Sequence, residues 1–188
     1  MEKIKLETAA LLDSFKNHLQ VKDKLLSLIQ DSKDESINQV DDYYNDSVSK
    51  LDWSKSKNFN REWVKYILPH LQEHFNKCAD VLGYQESIIH RIWYQQYLKN
   101  DTHGWHVHGD NYTGVYYVEY NDTSKTEIVN QFDQTTKYSI NSKEGDIVIF
   151  PSFFIHRAPR LISDKRKTII SFNLEFHNIK QAVFDKIN

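Results

Sequence analysis

The sequence predicts an α+β fold, with helices first and an antiparallel β barrel or sandwich after them. Three observations carry this. Apolar residues in the first third recur at helical spacing. After Gly83 the runs turn β-branched and aromatic: ESIIHRIWYQQYL, TGVYYVEY, TEIVNQF, KYSI, GDIVIF and KTIISFNLEF. Turn-type segments separate those runs, with no helix-length pattern between them, which argues against a doubly wound parallel sheet.

The elements follow in order. Leu19, Lys22, Leu25, Leu26 and Ile29 recur at helical spacing and give a partial apolar stripe, interrupted at Lys22, for a first helix. The polar stretch from Asp31 to Asn60 reads as a surface connection holding at most one short helix. A stronger helix starts beyond Asn60, its expected N-cap. Trp63, Val64, Ile67, Leu68, Leu71, Phe75, Cys78, Ala79 and Leu82 make one broad apolar face, and Gly83 is placed to stop the helix. Pro69 lies inside this run and predicts a kink or a break. The expectation is one domain over residues 1–188, with a mainly helical support region at 1–83 and a β core at 84–178.

Composition narrows the class. The 188 residues carry a net charge of -2, so nothing points to a nucleic-acid or polyanion partner. Eleven tyrosines and four tryptophans mark a globular chain. Cys78 is the single cysteine, so no intrachain disulfide forms. The first twenty residues lack the apolar run of a secretory signal, and no stretch is apolar enough to span a membrane. A cytoplasmic protein is expected, and the Asn-x-Ser/Thr triplets at Asn45, Asn111 and Asn121 then carry no meaning.

Two motifs bear chemistry. HLQEH, residues 70–74, has the spacing of an inverted zinc-protease motif, with His70 and His74 on one helix face and Glu73 as base. It is short, Pro69 disturbs it, and His74 falls beside core positions, so an ordinary amphipathic helix is the better account. WHVHGD, residues 105–110, is stronger. His106, His108 and Asp110 alternate, and on an extended strand they would face one way. A distant His156 follows a buried-type strand, and the cations Lys165, Arg166 and Lys167 come about ten residues later. Two histidines and a carboxylate on ferrous iron leave positions for an oxoacid and dioxygen. A cation deeper in the barrel would bind the oxoacid's far carboxylate.

These residues resemble the 2-oxoglutarate- and Fe(II)-dependent dioxygenases, and within them the prolyl-hydroxylase-like and phage oxygenase families. The resembling segments are YQQYLKNDTHGWHVH, TGVYYVEY, EGDIVIFPSFFIHRAPR and KRKTIISFNLEF, roughly residues 90–177. The resemblance implies a double-stranded β-helix, a jelly-roll barrel, with the N-terminal helices packed on one side. It implies Fe(II), 2-oxoglutarate and O2, and hydroxylation of a substrate with release of succinate and CO2. His156 matches the distal histidine ligand. Arg166 matches the 2-oxoglutarate carboxylate partner, Thr168 its accompanying hydroxyl, and Tyr117 and Tyr97 the tyrosines of that pocket. A strand offset by one would turn Lys167 inward instead of Arg166; the planar guanidinium favours Arg166.

The family pattern is His-x-Asp/Glu, and this chain offers two frames: His108 with Asp110, or His106 with His108. A carboxylate suits ferrous iron and an oxoacid together, which favours His108 and Asp110; His108 belongs to both. The spare residue would orient a ligand or the substrate. Trp93, Tyr94 and Trp105 are further candidates for the pocket wall. The implied partner is a peptide, protein or small-molecule substrate, a prolyl or other peptidyl side chain first, by analogy alone. The rivals are a cupin-like three-histidine dioxygenase that does not use 2-oxoglutarate, and a barrel that only binds a ligand.

Overall fold

A computed structural model describes residues 1–32, 35–40 and 45–187. In chain order it contains β1 (Leu11–Ser14), α1 (His18–Gln30), β2 (Glu35–Val40), β3 (Asn45–Leu51), a single 3-10 turn (Trp53–Lys55) and α2 (Glu62–Val81). Then come β4 (Tyr84–Tyr97), β5 (His103–His106), β6 (Tyr112–Glu119), β7 (Glu127–Val129), β8 (Lys137–Ser139), β9 (Asp146–Pro151), β10 (His156–Ala158), β11 (Lys167–Ile179) and α3 (Gln181–Ile187). Among the described residues the strands form a seven-stranded sheet, β1-β9-β6-β11-β4-β3-β2, and a four-stranded sheet, β5-β10-β7-β8. Neighbouring strands in both sheets pair antiparallel.

The large sheet has two covered faces, and this places the site. Ile92 and Tyr94 of β4 and Ile170 and Phe172 of β11 pack with Val21, Leu25, Trp63, Ile67 and Phe75 of the helices. The alternate residues Tyr97, Tyr117, Phe150 and Ile169 form a second cluster with Ile128 and Ala158 of the small sheet. The period of two thus sends half of each strand to the helices and half to the space between the sheets. Gly114 is required at the centre: a Cβ there would lie 2.3 Å from the Val148 carbonyl oxygen and 2.6 Å from the Phe172 ring.

Several expectations change. The first 83 residues are not a mainly helical block: β1 pairs with β9, and β2 and β3 extend the large sheet beyond β4. These strands escape a pattern search because β1 is four residues long and β2 and β3 are rich in polar residues. A short helix in the stretch 31–60 is realised only as the 3-10 turn; residues 33–34 and 41–44 of that stretch lie outside the described residues. Leu19 points outward, and Val21 takes its place in the buried stripe. Helix α2 begins after Arg61 rather than Asn60 and runs unbroken through Pro69, because its apolar face is buried along its length. Gly83, at φ +84, ends it as expected.

One buried polar node ties the start of α2 to β4. Asp52 accepts the Tyr94 backbone N–H and the Trp63 indole N–H, both at 3.0 Å, and pairs with the Arg61 guanidinium. Burial pushes the Asp52 carboxyl up and Arg61 opposes that. Removing one partner leaves the other buried and uncompensated. Asp52→Ala should therefore cost about 3–5 kcal/mol, read as a lower midpoint in urea denaturation. A loss below about 1 kcal/mol would remove the node from the list of stabilising features.

Candidate metal and oxoacid site

The inner faces of the two sheets converge on three imidazoles. His106 closes β5 and sits opposite His156 of β10 in register. His108 lies just past β5, its N–H held by the Ser152 carbonyl at 3.0 Å. One ring nitrogen from each of His106, His108 and His156 falls within 4.8 Å of the others. Ring centroids are separated by 4.3 Å for His106 and His156, 4.9 Å for His106 and His108, and 5.0 Å for His108 and His156.

The hydrogen bonds fix the tautomers. His106 Nδ1 lies 2.7 Å from the Gly104 carbonyl and His156 Nδ1 lies 2.8 Å from the Phe154 carbonyl. A carbonyl only accepts, so each Nδ1 carries the proton and each neutral ring keeps an Nε2 lone pair. Burial holds the imidazoles neutral. It lowers His106, brings His156 down to about 3 and His108 to about 2, with repulsion between the rings adding to the effect in His108 and His156. Neutral imidazoles, oriented through the second nitrogen, are what a divalent metal requires. The donor set fits Fe(II).

Asp110 stands apart. The expected alternation needs an extended strand, but β5 ends at His106, and Asp110 is an exposed residue in a turn at φ +62. It belongs to no group of converging metal-ligand atoms among the described residues. It lines an adjoining cavity of about 460 Å³ that also touches His108. The frame brought together is therefore His106 and His108.

The buried cation is Lys167, one residue after the favoured Arg166. Arg166 is 39% exposed and makes a two-pronged pair with Glu119 at 2.9 and 3.0 Å. Thr168 shares that side, donating to Glu119 at 2.5 Å and accepting from Gln96 at 3.1 Å. Lys167 is the buried cation, 1% exposed, with its Nζ over the rings of Tyr97, Tyr117 and Tyr120 at 5.3–5.8 Å. It donates to the Ser124 carbonyl at 2.7 Å. The hydroxyls of Tyr97 and Tyr120 are buried without hydrogen-bond partners, and Tyr117 bonds Thr126 at 2.6 Å. Burial lowers Lys167 to about 7. A narrow cavity of about 20 Å³ reaches from the three imidazoles to Tyr97 and Thr126.

A wider cavity of about 230 Å³ opens on the other side of His106 and His108. Val48, Leu51, Trp53, Trp93 and Val107 give it an apolar wall, and Asp46 and His103 a polar corner. Of the expected wall residues, Trp93 is present; Tyr94 faces the helices, and Trp105 stacks under Arg157 at 4.5 Å. His103 and Gln95 are additions. His103 stacks on His106 at 4.0 Å and accepts the Gln95 amide at 3.1 Å, so its proton lies on Nε2, the opposite tautomer. HLQEH is no metal site among the described residues: His70 meets Asn17, Glu73 pairs with Lys16 and Lys77, and His74 packs edge-on to Phe15.

Residues 91–173 match the family model described as "Putative 2OG-Fe(II) oxygenase". No curated protein matches the chain. Solved structures do. An oxidoreductase of the 2OG-Fe(II) oxygenase family from Burkholderia pseudomallei matches with TM-score 0.67 and 13% identity, over 91% of this chain and 87% of that one. A Trichoplax adhaerens prolyl hydroxylase, solved with a hypoxia inducible factor peptide fragment, matches with TM-score 0.62 and 15% identity, over 89% and 82%. HygX from Streptomyces hygroscopicus, solved with nickel and 2-oxoglutarate bound, matches with TM-score 0.62 and 10% identity, over 92% and 84%. The fold is the double-stranded β-helix of these oxygenases. Residues 91–173, a little under half of the chain, are similar to the 2OG-Fe(II) oxygenases, an enzyme class that uses Fe(II), 2-oxoglutarate and dioxygen. No helix of the described residues is long and apolar enough to cross a membrane.

Proposed function

We propose that the chain is a hydroxylase that holds Fe(II) through His106, His108 and His156 and 2-oxoglutarate through Lys167. The observation that carries this is a neutral three-imidazole cluster whose narrow cavity reaches Tyr97, with the buried Lys167 ammonium over the Tyr97 ring and the Tyr97 hydroxyl left without a partner. Buried polar groups without partners are costly. A carboxylate arriving at Lys167 would be met by the ammonium and by the Tyr97 and Tyr120 hydroxyls. Bound iron supplies the oxidising chemistry, coupled to conversion of 2-oxoglutarate to succinate and CO2. The chain's own residues orient the oxoacid and keep water out: Ile169, Val115 and Phe150 seal the interior beside the cluster. The apolar cavity walled by Trp53 and Trp93 fits a prolyl or other apolar peptidyl side chain, delivered next to His106 and His108.

Anaerobic protein with Fe(II) should develop a visible charge-transfer band on adding 2-oxoglutarate, saturating at one equivalent. Bound iron without a band would sink the oxoacid half of the proposal. A second reading has one observation behind it, the all-histidine cluster: a three-histidine dioxygenase that does not use 2-oxoglutarate. That reading predicts bound iron, no band, and no succinate formed.

A further inference from the structure

A second group of ligand atoms lies outside this interior. His90 of β4 and Glu175 and His177 of β11 each present one donor atom, all within 4.8 Å of one another. The local register explains the convergence. Asn173 pairs with Arg91, but Leu174 pairs with Ile89, so His90 is the extra residue of a β-bulge. A bulge re-aims its side chain. Glu175 and His177 alternate on one strand and share a face, which brings them beside the re-aimed His90.

His90 Nε2 is 2.8 Å from Glu175 Oε2, and His177 Nε2 is 3.2 Å from the same oxygen. The second contact lacks hydrogen-bond geometry. The His177 Nε2 atom is buried and makes no hydrogen bond, although its ring is about one-third exposed. An imidazole nitrogen shut off from water, beside a carboxylate it does not bond, is a vacant donor. Donors around a tetrahedral zinc ion stand about 3.3 Å apart, as bond lengths of about 2.0–2.1 Å require. The two distances to Glu175 are already close to that.

We propose that His90, Glu175 and His177 form a second metal site, for a divalent transition ion of the zinc class, with a fourth position left to water. Two imidazoles and one carboxylate are a borderline N/O donor set that suits zinc, nickel or cobalt better than calcium or magnesium. The ion would tie β4 to β11 across the bulge. It would also stand at the rim of the 460 Å³ cavity that His90 shares with His108 and Asp110.

The test is Co(II) and Zn(II) titration of metal-free full-length protein, with stoichiometry from calorimetry and coordination from Co(II) d–d bands. Wild type should bind two equivalents. His106→Ala/His156→Ala should keep one, with the intense bands of four-coordinate cobalt. His177→Ala should also keep one, with the lost site weakened at least a hundredfold. Glu175→Gln, which can still hydrogen-bond His90, should lose the same equivalent. If wild type binds one equivalent and His177→Ala binds it unchanged, the second site does not exist and the residues are a hydrogen-bonded surface group. If His177→Ala abolishes the only equivalent, the second site stands and the three-imidazole cluster fails. Unchanged far-ultraviolet circular dichroism confirms that each variant is folded.

Discussion

His156→Ala and His106→Ala should each lose tight Fe(II) binding at the oxygenase centre, whereas Asp110→Ala should retain it. The asymmetry follows from placement. His106 and His156 face each other across paired strands, with each Nδ1 anchored to a carbonyl, so both Nε2 atoms are pre-aimed at one point. Losing one of three ligands should weaken iron by at least a hundredfold, more than the 10–100-fold typical of losing a group that only orients a ligand. Asp110 sits past the strand end in a left-handed turn, exposed, and its loss should change iron affinity less than threefold. Equilibrium dialysis of Fe(II) with each variant decides it, on a background of His177→Ala so that a second site cannot mask the result. If Asp110→Ala loses iron as His156→Ala does, the loop rearranges on binding and the His-x-Asp frame is the working one. The three-histidine frame also predicts a site with one more positive charge than a His-His-carboxylate centre, which favours anionic oxoacids over neutral donors.

The sequence was most legible where its period was strongest. The broad apolar face of α2 and the β-branched runs after Gly83 marked one long helix and the strands of the barrel. His156 and His108, whose rings the structure brings together, each stand at the edge of such a run. Asp110 lies outside the alternation, which persists only while the strand does; β5 stops at His106, and the turn-type run Gly109-Asp110-Asn111 was the available signal. The choice between Arg166 and Lys167 was hidden for a different reason. β11 is buried on both faces from Lys167 to Leu174, so Thr168, Ile169, Ile170, Ser171 and Phe172 show no inside-outside alternation. With parity unreadable, the guanidinium's better geometry for carboxylates favoured Arg166, the residue the structure leaves exposed beside Glu119, while Lys167 is buried. Sheet pairing removes the ambiguity, since Lys167 stands opposite Tyr97, whose ring faces the interior, while Thr168 stands opposite Gln96 and Glu119.

Lys167→Met should raise the Kd for 2-oxoglutarate on the order of a hundredfold, and Arg166→Ala should change it less than threefold. Truncating one side of a buried charge pair costs about 2–5 kcal/mol, and a hundredfold is about 2.7 kcal/mol. Arg166 has only an exposed pair with Glu119 to lose, worth about 0–1 kcal/mol. Titration of the charge-transfer band gives both constants. The pH dependence separates binding by Lys167 from mere packing. With no anion, burial holds the lysine near 7, well below its ordinary value. The dicarboxylate binds the ammonium form and raises that value in the complex. Above pH 7 the free protein must take up a proton to bind, so the affinity should fall by up to tenfold per pH unit; below pH 7 this group contributes no slope. Lys167→Met should flatten that slope along with weakening binding. If Lys167→Met keeps wild-type affinity and Arg166→Ala loses it, the guanidinium swings inward on binding and the strand parity seen here is not that of the complex. If both variants bind normally, the interior ammonium serves only to fill space among three tyrosines. The unpartnered hydroxyls of Tyr97 and Tyr120 argue against that, because packing alone has no use for them.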